Sequence, residues 1–400
     1  MFVERVGIVG AGTMGADIAA AVALRGIPVR ICDVDPGQLT RAASRIQSLL
    51  DQRVRRGRLT AAAAADRVAL VAPSTDWAAL TDVDLVVEAV PERLELKCQV
   101  LSQLDHQLPP LAILASNTSA QSVSVLAEAT GRAERVIGCH FFFPAFTMPL
   151  VEVVRTPETR PDVLAAAVGL WEECRKLPLV VEDQPGFVVN RVLMRALAEV
   201  FRFEEETGAA PASIDAALAS SGLVPLGPFQ LCDALGLDVV SDVAGTLARE
   251  LGKRFEPSAR LADLVSAGRL GAKVPAGGFY VAGEEATAPE LSDAARSRLI
   301  RRFQLAAANE AARVLDEQPL SARQIDLALA AGAGLKRGPL AWADQEGLDA
   351  VQHDMEEASA LGRRGFEVPT SLDRLVRQGW TGVRAGRGFL GAAAAGGPSR

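Results

Sequence analysis

The sequence Gly10-Ala11-Gly12-Thr13-Met14-Gly15 follows the first short apolar run, residues 5–9. In a G-x-G-x-x-G turn that leaves a strand and opens a helix, each glycine has a task. Gly10 allows the tight turn, Gly12 lets backbone approach a pyrophosphate, and Gly15 lets helix and strand pack closely. With Thr13 and Met14 these residues would meet the anion at a helix N-terminus, among free N–H groups and the positive dipole end. Asp33 ends the next predicted strand, eighteen residues after Gly15. A carboxylate there binds a ribose 2′-hydroxyl and repels a 2′-phosphate, so NAD is expected over NADP. A structural glycine-rich turn is the alternative. The chain has only three histidines, His106, His140 and His353. Any chemistry that needs an imidazole, the side chain that titrates near neutrality, must use one of them.

The elements that would position these groups follow from hydrophobic runs. Short apolar runs at 5–9, 29–32, 68–71, 85–90, 111–115 and 136–139 are separated mostly by helical patterns, including a long one over 36–56. Alternation of this kind predicts an α/β domain with a parallel sheet. Two more runs, 150–154 and 179–181, flank a helix around 161–175. Strand signals stop beyond Asp183, so a Rossmann-like domain is expected over 1–183 and helices after it.

The helical part carries a duplication. Ile214-Asp215, Ala217-Leu218, Gly227-Pro228, Asp233 and Gly236-Leu237-Asp238 recur at Ile325-Asp326, Ala328-Leu329, Gly338-Pro339, Asp344 and Gly347-Leu348-Asp349, always 111 residues on. The register slips by one only at the closing Gly278-Phe279 and Gly388-Phe389. Two all-α domains are therefore expected, 184–282 and 290–391. Residues 282–289 read as a linker and 392–400 as a disordered tail.

Composition excludes several classes. The 42 Lys and Arg against 49 Asp and Glu give a net charge of −7, unsuited to nucleic acid. No apolar stretch is long enough for a membrane span. The first strand begins almost at Met1, so no signal peptide is expected. Five scattered cysteines without a CxxC pair predict a reduced, cytoplasmic setting and no zinc site.

Five further blocks stand in order: Val87-Glu88-Ala89-Val90-Pro91-Glu92, Ser116-Asn117-Thr118-Ser119, His140-Phe141-Phe142-Phe143-Pro144, Met148-Pro149-Leu150-Val151-Glu152-Val153, and Pro185-Gly186-Phe187-Val188-Val189-Asn190-Arg191. With the glycine motif they resemble the L-3-hydroxyacyl-CoA dehydrogenase family over residues 3–390, most like the dehydrogenase part of the multifunctional fatty-acid oxidation protein. The fold implied is the Rossmann-like domain followed by two C-terminal-type helical domains of that family. No enoyl-CoA hydratase domain is expected ahead of it. The resemblance implies His140 as general acid/base, Glu152 as its partner, and Ser119 and Asn190 as donors polarising substrate oxygens. Glu92 and Asn117 match positions lining the cofactor and active-site cleft, and Lys97, which begins the helix after the Glu88–Glu92 strand end, is expected to face the same cleft.

The chemistry agrees with this. Oxidising a 3-hydroxyl needs a base for the O–H proton while hydride leaves C3. A carboxylate twelve residues beyond His140 can fix the imidazole tautomer. Ser119 and Asn190 are also good helix caps, and that reading stays open. Two departures stand out. Phe143 occupies the place of the family's usual Asn, and Lys273-Val274-Pro275-Ala276-Gly277-Gly278-Phe279 replaces a shorter Lys-x-Gly-x-Gly-Phe.

The substrate is expected to be an acyl-CoA or acyl-carrier thioester. Arg53, Arg55, Arg56 and Arg58, or Lys97, would supply cations for it, although arginines at a helix C-terminus equally complement its dipole. A second helical copy could replace a dimer partner, so a monomer with an internal pseudo-dimer, or a homodimer, is expected. The second copy has Arg301 where the first has Asn190. Alternatives are a dehydrogenase of carrier-bound or free hydroxy acids, and a non-catalytic NAD-binding scaffold.

Overall fold

The computed structural model describes residues 2–281 and 289–392. Most of the expected linker and tail, 282–288 and 393–400, lies outside the described residues. The chain forms two compact units, Met1–Phe187 and Val188–Arg400.

In the first unit eight strands form one sheet: β1 (Val6–Val9), β2 (Val29–Cys32), β3 (Val71–Ser74), β4 (Leu85–Glu88), β5 (Ile113–Ser116), β6 (Val136–Phe141), β7 (Leu150–Arg155) and β8 (Leu177–Glu182). Their order is β3-β2-β1-β4-β5-β6-β7-β8. The helices are α1 (Thr13–Ala23), α2 (Pro36–Arg55), α3 (Ala61–Ala69), α4 (Leu94–Gln107), α5 (Val123–Glu128) and α6 (Pro161–Glu173). Ile18, Leu49 and Trp171 place α1, α2 and α6 in one core with Ile8, Val87 and Ile137 of the sheet. The strand order reverses between β1 and β4, the kind of switch point at which α/β sheets open a crevice.

Two expectations need correction. The run at 68–71 is not a strand: Val68 and Ala69 end α3, and the strand starts at Val71. The alanine-rich 61–65, capped by Thr60, propagates helix up to that point. Pro73 is tolerated because β3 is the edge strand. The sheet is also not wholly parallel, since β7 runs antiparallel to β6 and carries β8 with it. Only residues 142–149 join β6 to β7, too few for the crossover a parallel pair requires.

The second unit is helical: α7 (Val189–Thr207), α8 (Pro211–Ser220), α9 (Pro228–Leu235), α10 (Leu237–Leu251), α11 (Ala259–Ser266), α12 (Asp293–Glu317), α13 (Ala322–Ala333), α14 (Pro339–Glu346), α15 (Leu348–Ala360) and α16 (Thr370–Arg377). The repeated aspartates do the same work in both copies. Asp215 accepts from Phe229 and Gln230 N–H at the start of α9, and Asp326 from Leu340 and Ala341 at the start of α14. Asp233 accepts from Phe279 and Tyr280 N–H, and Asp344 from Phe389 and Leu390.

The two copies lie in one compact unit, in which α7 and α12 pack along each other. Ion pairs across this contact have two-fold character. Arg191 binds Glu310 and Glu317, while Arg302 binds Glu199 and Glu206. Each residue is 111 positions from its counterpart, which is the signature of an isologous interface within one chain.

Candidate functional site

A cleft of about 600 Å³ opens at the switch point, lined by Gly10, Gly12, Thr13, Met14, Asp33 and Val90 among others. Gly10 has φ 101°, and a Cβ there would lie 2.5 Å from the Ala89 carbonyl oxygen. A Cβ on Gly15 would lie 1.9 Å from the Gly10 oxygen. On Gly12 it would meet nothing within 4 Å, so it would project into open space beside the cleft. The first turn of α1 contains no acidic residue, which leaves the positive helix end for an anion.

Asp33 Oδ2 accepts from Ala11 N–H at 2.7 Å and Oδ1 from Asp35 N–H at 2.9 Å. A carboxylate has about four acceptor positions, so capacity for ribose hydroxyls remains. Trp77 and Val34 complete an apolar wall beyond it. These residues fit a dinucleotide: pyrophosphate at Gly12 and the start of α1, ribose at Asp33, and adenine against the wall.

A buried ionic network lies behind the cleft. Glu88 accepts from Ser116 Oγ at 2.6 Å and from Lys97 Nζ at 2.9 Å. Lys97 Nζ also lies 3.1 Å from Glu92, and its side chain is only 1% exposed. The expected cation facing the ligand is therefore sequestered by carboxylates, which is what a buried ammonium requires. Glu92 Oε1 accepts from Thr118 Oγ1 at 2.5 Å and from the N–H of Ser119 and Ala120 at 2.9 and 3.1 Å. Burial raises the Glu92 pKa, but Lys97 and these donors outweigh it, and the net shift is downward. Glu92 is thus the ionised anchor of the turn that carries Ser119. Asn117 Oδ1 accepts from Phe141 N–H at 3.0 Å, tying that turn to the end of β6.

His140 and Glu152 are register partners across β6 and β7. Their side chains meet with His140 Nδ1 2.7 Å from Glu152 Oε2, both buried. Phe142 and Phe187 pack on the imidazole at centroid distances of 4.4 and 5.7 Å. His106 and His353 are both exposed. Phe143 is 50% exposed, and nothing in the structure explains an aromatic ring there. Arg53 stacks on Phe146, whereas Arg55, Arg56 and Arg58 are exposed.

Neither cap reading holds. Ser122, not Ser119, caps α5, and Asn190 is the second residue of α7 behind Val188 at the cap position. Asn190 belongs to the second unit, so His140, Glu152, Ser119, Asn117, Glu92 and Lys97 are the residues the first unit assembles.

Sequence reasoning missed the clamp on the β6–β7 connection. Lys176 Nζ donates to the carbonyls of Ala145 and Met148 at 2.5 and 2.8 Å, and Asp17 accepts from Phe146 N–H at 3.5 Å. Burial pushes the Lys176 pKa down to about 8. A signal was present: a chain that uses only five lysines among 42 basic residues retains two of them, Lys97 and Lys176, in these polar cages. A compact ammonium with tetrahedral donors suits such cages better than a planar guanidinium.

The reversing sheet and its glycine turn define a dinucleotide-binding protein. Residues 5–184 match "3-hydroxyacyl-CoA dehydrogenase, NAD binding domain", and residues 186–281 and 299–391 each match "3-hydroxyacyl-CoA dehydrogenase, C-terminal domain". The chain belongs to the 3-hydroxyacyl-CoA dehydrogenase family, and its first unit is an NAD-binding domain.

It is 34% identical over 397 residues to a fatty acid oxidation complex subunit alpha of Shewanella sp. (strain ANA-3), covering 94% of this chain and 56% of that protein. It is 41% identical over 273 residues to a 3-hydroxyadipyl-CoA dehydrogenase of Escherichia coli (strain K12), covering 68% of this chain and 58% of that one. The chain thus spans little more than half the length of these curated relatives. Among solved structures, a 3-hydroxybutyryl-CoA dehydrogenase from Escherichia coli K12 superposes with a TM-score of 0.85 at 30% identity, covering 95% of this chain and 100% of that one. Among the described residues no helix is long and apolar enough to cross a membrane.

Proposed function

We propose that this chain catalyses the reversible NAD-dependent oxidation of an L-3-hydroxyacyl-CoA to the 3-ketoacyl-CoA. The observation that carries the reading is the buried His140–Glu152 pair, in the same sheet as the dinucleotide cleft. The names of the relatives, which specify 3-hydroxybutyryl-CoA and 3-hydroxyadipyl-CoA, support the thioester class.

NAD, held at Gly10, Gly12, Thr13, Met14, Gly15 and Asp33, supplies the hydride acceptor when bound. His140 donates its Nδ1–H to Glu152, which leaves Nε2 to take the substrate hydroxyl proton. The Glu152 carboxylate then stabilises the imidazolium, and in the reverse direction His140 returns the proton. Ser119, on the turn anchored by Glu92, and Asn190, in the first turn of α7, donate to substrate oxygens as charge develops. Preorganised donors of this kind are worth about 3 kcal/mol of barrier each. Glu92, Lys97 and Asn117 hold the turn between cofactor and substrate. We place the protein in the cytoplasm, a setting that suits its five free cysteines, and assign it as a monomer with an internal pseudo-dimer.

The test is loss of NADH absorbance with a panel of 3-ketoacyl-CoA, acyl-carrier and free 3-keto acid substrates. Turnover on the CoA thioesters is expected. H140A should lower kcat by about 10²–10⁴-fold, the usual contribution of a general acid/base, with NADH binding intact. Turnover on carrier or free acid alone would reassign the substrate. NADH binding with no turnover on any member would make the chain a scaffold.

A further inference from the structure

We propose that Glu317, contributed by the second repeat, is a positioning residue for Asn190, acting through Arg191. This rests on the reading that Asn190 polarises the substrate. Asn190 and Arg191 are the second and third residues of α7. The chain enters this helix through Gly186 at φ 71° and Phe187 at φ 50°, and the cap position is Val188, which has no side-chain acceptor.

Arg191 ties this first turn to α12. Its guanidinium is fully buried, donating from Nη1 and Nη2 to the two carboxylate oxygens of Glu317 at 2.6 and 3.0 Å, and from Nε to Glu310 at 2.7 Å. Arg254 holds Glu310 in turn, at 2.8 Å. A bidentate fork fixes direction as well as distance, so the backbone next to Asn190 is pinned from α12.

The duplication provides a matched control. Arg302 donates to Glu206 at 2.7 and 3.0 Å with the same fork geometry, and also to Glu199 at 2.9 Å. Glu206 and Glu317 are 48% and 42% exposed, so the two outer carboxylates are comparably placed, with Arg363 a further 4.0 Å neighbour of Glu206. What they anchor differs. Arg302 is the tenth residue of α12, inside a continuous helix, and its neighbour Arg301 is itself bound to Glu346 and Asp354 at 2.9 and 2.6 Å. Only the Glu317 arm fixes a helix start that carries an amide.

The experiment compares E317Q with E206Q in the full chain. Both substitutions keep shape and remove one charge from a forked arginine pair, so each should lower thermal stability. A misplacement of about 1 Å can cost about 10²-fold in rate. E317Q is therefore expected to lower kcat about tenfold with unchanged NADH affinity, and E206Q to leave kcat within about twofold. E317D, which keeps the charge on a shorter arm, should fall between E317Q and wild type. In an N190A background, E317Q should lower kcat no further, as coupling through one residue requires. Equal kcat losses for E317Q and E206Q, or an undiminished E317Q effect in N190A, would overturn the positioning role. Near-normal kcat in N190A alone would instead overturn the assignment of Asn190 on which the role rests.

Discussion

Asp33 holds the local fold, and in the proposed cofactor site the same carboxylate would bind the ribose. It closes the glycine turn through Ala11 N–H and the start of the next loop through Asp35 N–H. D33A removes those bonds along with the proposed ribose acceptor. Hydrogen bonds to a charged group are worth roughly 1.5–3 kcal/mol, so KM for NAD should rise at least about tenfold. D33N keeps an acceptor but no negative charge, and should narrow the preference for NAD over NADP. Steady-state kinetics with both nucleotides measures this, and an unchanged ratio would remove Asp33 from the ribose site. The residue types at this site were legible from the chain, because glycine, aspartate and histidine each have few substitutes for the task. The partners of Lys97 were not, since nothing along the chain shows that Glu88 and Glu92 turn toward it.

At the scale of elements, α7 and α12 are held together by buried charge. Burial works to raise the Glu199 pKa, but the guanidiniums of Arg195, Arg202 and Arg302 overcome it and hold it at about 2. A carboxyl with a lowered folded-state pKa stabilises the fold above its unfolded value and loses that contribution as pH falls through the folded one. The difference in thermal stability between wild type and E199Q should therefore be full above about pH 5 and shrink toward pH 2, taking about 4.3 for an unfolded glutamate. A difference independent of pH would mean that packing, not ionisation, governs this contact. The helices themselves were readable from periodicity and caps. Their pairing was not, because Arg191 and Glu317 are 126 positions apart and neither carries a local signal.

At the scale of the molecule, duplication supplies both halves of a two-fold interface in one chain. A face already covered by the other copy is unavailable to a second molecule. Light scattering should give the mass of a single 400-residue chain, and a dimer built through α7 and α12 would contradict the pseudo-dimer. The sequence by itself determined the α/β class, the glycine-rich turn and the duplication. These are local patterns or fixed spacings, and they survive without knowledge of contacts. Only the tertiary structure decided that β7 turns back antiparallel, placing Glu152 directly opposite His140, and that Lys97 and Lys176 are caged. It alone showed that the repeats interlock through Arg191 and Arg302. Each of these depends on which distant groups become neighbours when the chain buries its apolar faces, and pairwise distance is not encoded in the spacing of residues along a chain.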